Sequence, residues 1–227
     1  MLLELSYTLA ETIPKWPTNP DERYRPEQST AAGDPCNANS VFHHIHNGTH
    51  VDAPRHFDAH GRTIDEIPLE DFYYTHPLVL RVPKKKGECV TLEDLQNVEA
   101  RLRSCDLLFL YTGYCELREG HPDVFVDHFP YIAPEAAEYL RENFPALKAV
   151  ALDSISVDAQ DAGERGFPTH HAFLEKSDAR PQRTLLLFED VNIHPLLAVE
   201  KIDAVCAFPI RWKGLEGAPV SMVAFVQ

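Results

Sequence analysis

Between residues 46 and 56 the chain reads His-Asn-Gly-Thr-His-Val-Asp-Ala-Pro-Arg-His, placing three histidines and an aspartate within eleven residues. Such a set can hold a divalent metal, move a proton, or simply make a polar loop. On a helix His46 and His50 would be neighbours, but Asp52 would lie about 240° round from His46 and point elsewhere. On a strand the period is two, so His46, His50 and Asp52 all leave from one face. The local residues favour the strand: Thr49 and Val51 are β-branched, Gly48 disfavours helix, and Pro54 breaks one. Two imidazoles and a carboxylate on one face form half of a divalent-metal site. Pro54 then turns the chain and brings His56 nearby without making it a ligand. A solvated histidine-rich loop is the plainer alternative, and His43, His44 and His60 keep it open. The carboxylate on the same face as two histidines is what chance explains least.

The elements that must carry this segment are legible further along. Residues 77–83 (PLVLRVP), 106–112 (DLLFLYT), 147–152 (LKAVAL) and 184–188 (TLLLF) are short apolar runs that predict buried strands, and 205–210 and 219–226 predict two more. Residues 91–104 predict a helix capped by Thr91, with Leu92, Leu95, Val98 and Leu102 at helical spacing. Residues 133–144 predict a second helix, with Pro134 in the first turn and Ala137, Leu140 and Phe144 on one face. Five prolines in the first 40 residues predict extended loop there. Lys84–Lys86 reads as a solvated hairpin turn between strands. Alternating strands and helices without repeats or linkers predict one α/β domain over residues 1–227.

Bulk properties exclude whole classes. A net charge of −14 argues against a nucleic-acid binder. No apolar window approaches the roughly 20 residues that span a bilayer, and the acidic start lacks the basic leader of a secretory signal. Five scattered cysteines without a CxxC pair suit free thiols in a reducing compartment, so the expected location is the cytoplasm. Cys115 sits beside Glu116, which does not activate a thiol. Ser156 lacks a GxSxG context, and Asp153 at the mouth of a strand reads as a structural acceptor.

The pattern HNGTHVDAPRH closely resembles the signature of the metal-dependent cyclase-like hydrolases, which include bacterial kynurenine formamidase and isatin hydrolase. Further segments are similar in the same order: Trp16-Pro17, 108–114 (LFLYTGY), 151–158 (ALDSISVD), 185–190 (LLLFED) and 217–224 (GAPVSMVA). The chain departs from the family at Pro-Thr-Asn-Pro after Trp16, at Asp-Val after Glu189, and in the length of 175–183, which reads as an insertion. The resemblance implies a barrel-like mixed sheet with flanking helices, of the swivelling β/β/α type. It implies that His46, His50 and Asp52 bind one ion. Asp52 would bridge to a second, completed by Glu189 and either His170 or His171. It also implies that His56 is the catalytic histidine and that Trp16 lines the substrate pocket. The activity implied is hydrolysis of a small, flat amide by an ion-activated water, with His56 carrying the proton.

An arylformamide of the N-formylkynurenine type is the first expected substrate, and a cyclic amide such as isatin, or a lactone, the rival. The ion expected is zinc, with manganese or iron as alternatives. A homodimer or homotetramer is implied by the resemblance. Outside the class, a metal- or ligand-binding protein without activity would reuse the scaffold, a reading that the presence of His56 disfavours.

Overall fold

Apolar runs without alternation become inner strands because both of their faces are covered. Every residue of 107–111, 149–152 and 186–189 is buried. In the computed structural model, which describes residues 1–178 and 180–227, these runs sit within a nine-stranded mixed sheet. Ala179, inside the segment 175–183, lies outside the described residues.

The strands in chain order are β1 (Leu2–Glu4), β2 (Arg23–Gln28), β3 (Ala38–Phe42), β4 (His50–Asp52), β5 (Tyr73–Tyr74), β6 (Pro77–Arg81) and β7 (Cys89–Val90). They continue as β8 (Leu107–Tyr111), β9 (Tyr131–Ile132), β10 (Ala149–Leu152), β11 (Leu186–Glu189), β12 (Ile202–Pro209) and β13 (Gly217–Val226). The helices are α1 (Leu92–Gln96), α2 (Glu99–Leu102), α3 (Pro122–Phe125), α4 (Pro134–Asn143) and α5 (Pro168–Leu174). The large sheet runs β5-β12-β13-β4-β11-β10-β8-β6, with β1 on β13. β6, β8, β10 and β11 are parallel, and β4 is antiparallel to both β11 and β13. The α/β class agrees with the residue pattern, and the nearly closed mixed sheet with what the family resemblance implies.

Strand parity divides the interior into two cores. Leu107, Phe109, Leu186, Phe188 and Val51 turn into one, inside the curled sheet. Leu108, Leu110, Val150 and Leu187 turn into the other, where Leu95 of α1, Leu140 of α4 and Phe173 of α5 cover them. Since Val51 faces the first core, His50 and Asp52 must face the helices. Their cross-strand partners, Glu189 opposite His50 and Leu187 opposite Asp52, share that face.

Three expectations are corrected. The helix over 91–104 is two short ones, because Asn97 ends α1 and Val98 leaves helical geometry before its carbonyl starts α2. The capping box of Thr91 with Asp94 is present. The first 40 residues are not all loop: β2 and β3 form an exposed hairpin that tolerates Pro26 because its register is irregular between Pro26 and Gln28. Lys84–Lys86 is no hairpin turn, since β6 pairs with β8 and β7 with β9; Lys84 pairs instead with Asp94 at 2.7 Å.

Candidate metal centre

The centre of the site is built by β4, held between β11 and β13. His50 and Asp52 are two residues apart on a true strand and share a face, fully buried. His50 donates its Nδ1–H to the Gly48 carbonyl at 2.8 Å, which leaves Nε2 pointing inward. That nitrogen lies 3.4 Å from Asp52 Oδ1 and 3.4 Å from Glu189 Oε2.

His170 arrives from α5 on the helix side. Its Nδ1 pairs with Asp158 Oδ2 at 2.6 Å, and Asp158 is in turn held by the backbone N–H groups of Thr169 and His170. Its Nε2 faces Asp52 Oδ2 at 3.5 Å and Glu189 Oε1 at 3.3 Å. Glu189 Oε1 also accepts from the Val157 N–H at 2.7 Å. His171, one position on, is rotated about 100° away. Its Nδ1 lies 3.2 Å from Glu175 and its ring is partly exposed, so of the two candidate histidines only His170 joins the cluster.

His46 corrects the strand argument. It is not on β4 but in the turn before it, and Gly48 with φ of +69° swings the chain so that the ring reaches the same place. A side chain at Gly48 would also collide with Leu9, 2.6 Å from where its Cβ would stand. His46 Nδ1 meets Asp52 Oδ1 at 2.8 Å. His56 follows Pro54 on a short 3-10 turn and stacks on His46, ring centroids 4.0 Å apart.

The donor atoms fall into two groups that share Asp52: His46 with His56, and His50 with Glu189. By atom, Asp52 Oδ1 faces His46 and His50 while Asp52 Oδ2 faces His170, whose Nε2 also faces Glu189.

A metal fits these residues on the structure's own terms. The inward atoms His50 Nε2 and Asp52 Oδ2 are buried and have no hydrogen-bond partner among the described residues. Two buried carboxylates within one cluster require positive charge between them. Ligand atoms about 2 Å from a shared tetrahedral ion stand roughly 3.3 Å from each other, which is the spacing seen here.

In the chain alone, protons take that role. Burial disfavours a charged His50, but Asp52 and Glu189 outweigh it and raise its pKa to about 10. Burial works against His170 as well, and Asp158, Asp52 and Glu189 overcome it, raising its pKa. Asp52 is held well below the carboxylate range by the surrounding histidines despite its burial. His56 goes the other way: burial dominates and lowers it to about 4. Among the described residues, no side-chain hydrogen bond engages it.

The cluster forms the floor of a cavity of about 360 Å³. Trp16 stands in its wall with Phe57, Ile155 and Phe167, braced edge-on against Phe129 at 5.8 Å. His44, Asn19, Ser156 and Glu216 supply the polar lining, and the His46 ring beside Glu216 brings its carboxyl down to about 2. Sequence reading did not single out Asp158, Glu216 or Glu22. Asp158 lies in the quoted ALDSISVD motif, and Glu216 directly precedes Gly217 of GAPVSMVA. Glu22 had no local signal; its buried carboxylate holds His43 and Asn47 from across the loop. Asp153 accepts from Thr112 and Gly113 and is a turn holder, and burial pushes the Cys115 thiol up.

A family model described as putative cyclase matches residues 3–159. Kynurenine formamidase from Geobacillus thermodenitrificans (strain NG80-2) is 30% identical over 170 residues, covering 74% of this chain and 75% of its own. The kynurenine formamidase of Bacillus mycoides (strain KBAB4) is 24% identical over 221 residues, covering 97% of this chain and 95% of its own. Among solved structures, an isatin hydrolase bound to the product analogue thioisatinate superposes with a TM-score of 0.84 at 17% identity, over 100% of this chain and 92% of that one. A potential metal-dependent hydrolase with cyclase activity gives 0.73 at 19%, over 100% and 98%. At those identities the structures speak for a shared fold. The family match extends over more than half of the sequence and carries the segment 46–56 within it: the chain belongs to the putative cyclase family.

Proposed function

We propose that this chain is a metal-dependent hydrolase of small aromatic amides, with an arylformamide of the N-formylkynurenine type as its first substrate class. The observation that carries the reading is a buried cluster of imidazoles and two carboxylates, with unpartnered inward atoms, at the floor of an aromatic cavity. The formamidase relatives support the substrate. The isatin hydrolase neighbours favour ring-opening of a cyclic amide as a second reading, with lactones behind it, since water attacks the same kind of carbonyl.

A divalent ion, zinc first and manganese or iron next, would be held by His46, His50, Asp52, His170 and Glu189 and would supply an activated water and polarise the carbonyl. The protein's own residues do the rest. Trp16 and Phe167 give a flat ring two walls to lie against. His56 stands neutral at pH 7, so its ring nitrogen can take the proton that the attacking water gives up and deliver it to the leaving amide nitrogen. Without that proton an amide expels a very poor leaving group.

The test separates metal from turnover. His56→Ala should keep its metal content and lose hydrolysis across a panel of formanilides, cyclic imides and lactones, assayed with and without chelator. Retained metal with unchanged turnover of every substrate that the wild type cleaves would sink the assignment. The homodimer or homotetramer and the cytoplasmic location are part of the same proposal. Tyr24, Val41 and Phe42 on the exposed hairpin offer a self-association surface, which light scattering of a hairpin variant checks. No helix among the described residues is long and apolar enough to cross a membrane.

A further inference from the structure

Three imidazoles turn one nitrogen toward Asp52 or Glu189, and what holds each ring from behind differs. His50 is held by a backbone carbonyl, through Nδ1 to Gly48 O at 2.8 Å. His170 is held by a carboxylate, through Nδ1 to Asp158 at 2.6 Å. His46 presents Nδ1 to Asp52, so its outer nitrogen is Nε2, and that atom is buried with no hydrogen-bond partner among the described residues. The Glu216 carboxylate stands 3.5 Å from it. At that distance it is an ion-pair neighbour, one small side-chain rotation from a hydrogen bond.

Backbone packing puts Glu216 there. Its carbonyl accepts the Ala53 N–H at 2.8 Å, and Gly217 pairs with Asp52 in the β13–β4 register. Gly217 is pressed so close that an added Cβ would stand 2.7 Å from the Val51 carbonyl and 3.3 Å from His46 Cε1. The residue before this glycine is therefore fixed at the edge of the His46 ring, and it is an acid.

We propose that Glu216 is a positioning residue: its carboxylate accepts the His46 Nε2–H, fixes the tautomer whose bare Nδ1 faces Asp52, and holds the ring on which His56 stacks. This rests on the reading of the cluster as a metal site. With an ion beside Asp52, Nδ1 must offer its lone pair, so the ring proton goes to Nε2, and Glu216 is the acceptor on that side. An imidazole backed by a carboxylate is both oriented and a stronger donor to a metal. Because His56 lies on the His46 ring at 4.0 Å, a loose His46 also misplaces the proton carrier.

The experiment measures divalent-ion affinity by chelator competition, the visible spectrum of the cobalt-substituted protein, and kcat and KM separately, for wild type, Glu216→Ala and Glu216→Gln. Expected for Glu216→Ala is an affinity loss of about 10–100-fold, a changed cobalt spectrum, and a fall in kcat with little change in KM. Glu216→Gln, whose amide oxygen still accepts a hydrogen bond, should recover part of each. Wild-type affinity and spectrum in Glu216→Ala overturn the proposal. So does a change in KM alone, which makes Glu216 a substrate contact. Wild-type protein that takes up no ion overturns the underlying metal reading instead, and that arm is read first.

Discussion

The two halves of the site are held in different ways. In the half contributed by residues 46–56, His50 and Asp52 are fixed by backbone, since β4 is clamped between two strands and His50 leans on a carbonyl, while Gly48 sets the turn that returns His46 to the side of Glu216. The half contributed by His170 and Glu189 is fixed on one side by β11 and on the other by side chains. Asp158 aims His170, and Arg141 ties the end of α5 to the segment after it by donating to the carbonyls of Ala172, Glu175, Arg180, Gln182 and Arg183. A side chain held on a strand tolerates changes around it, because its position is set by ladder hydrogen bonds. A side chain on a short helix is only as well placed as the few charged groups that anchor it.

The largest effect should come from Asp52, where the halves meet. Asp52→Ala should lose bound metal and lower turnover by about 10³-fold or more, equivalent to the several kcal/mol an activating ion supplies; normal metal stoichiometry in that variant would falsify the shared-ligand assignment. Next comes the clamp. Arg141→Met leaves five carbonyls in part without their donor and should cost about 3 kcal/mol of stability, read as a denaturation midpoint. A stability loss under about 0.5 kcal/mol would mean that the segment after α5 holds itself. Asp158→Asn should weaken metal binding by about tenfold with a smaller stability change. If binding is unchanged, the helix alone aims His170.

A pH series sharpens the comparison further. In metal-free protein His50 has its pKa raised from 6.5 to about 10, so the stability it adds is complete below pH 6.5 and is lost as pH rises through 10. The metal-free melting temperature should therefore fall over that window, and metal affinity should rise with pH as the ion displaces the proton. A flat melting profile there removes the His50 pairing. The smallest effect is reserved for His171→Ala, which should keep its metal and shift stability by no more than about 0.5 kcal/mol. Metal loss in that variant would reverse the choice between the adjacent histidines.

The sequence alone determined the pieces whose physics is local. Strand parity placed His50 with Asp52, Pro54 turned His56 back, Thr91 capped a helix, and unbroken apolar runs marked the inner strands. It also carried a family pattern, which the match over residues 3–159 bears out. What it left to the tertiary structure depended on pairing between distant segments. Glu189 meets His50 only because β11 pairs with β4 in that register, and His170 is preferred to His171 because α5 packs Phe173 and Leu174 into the helix-side core. His46 reached the site through a glycine turn that a strand argument could not foresee. Asp158 and Glu216 stand behind their histidines for the same reason: hydrogen-bond partners are chosen by proximity in space, and spacing along the chain does not encode it.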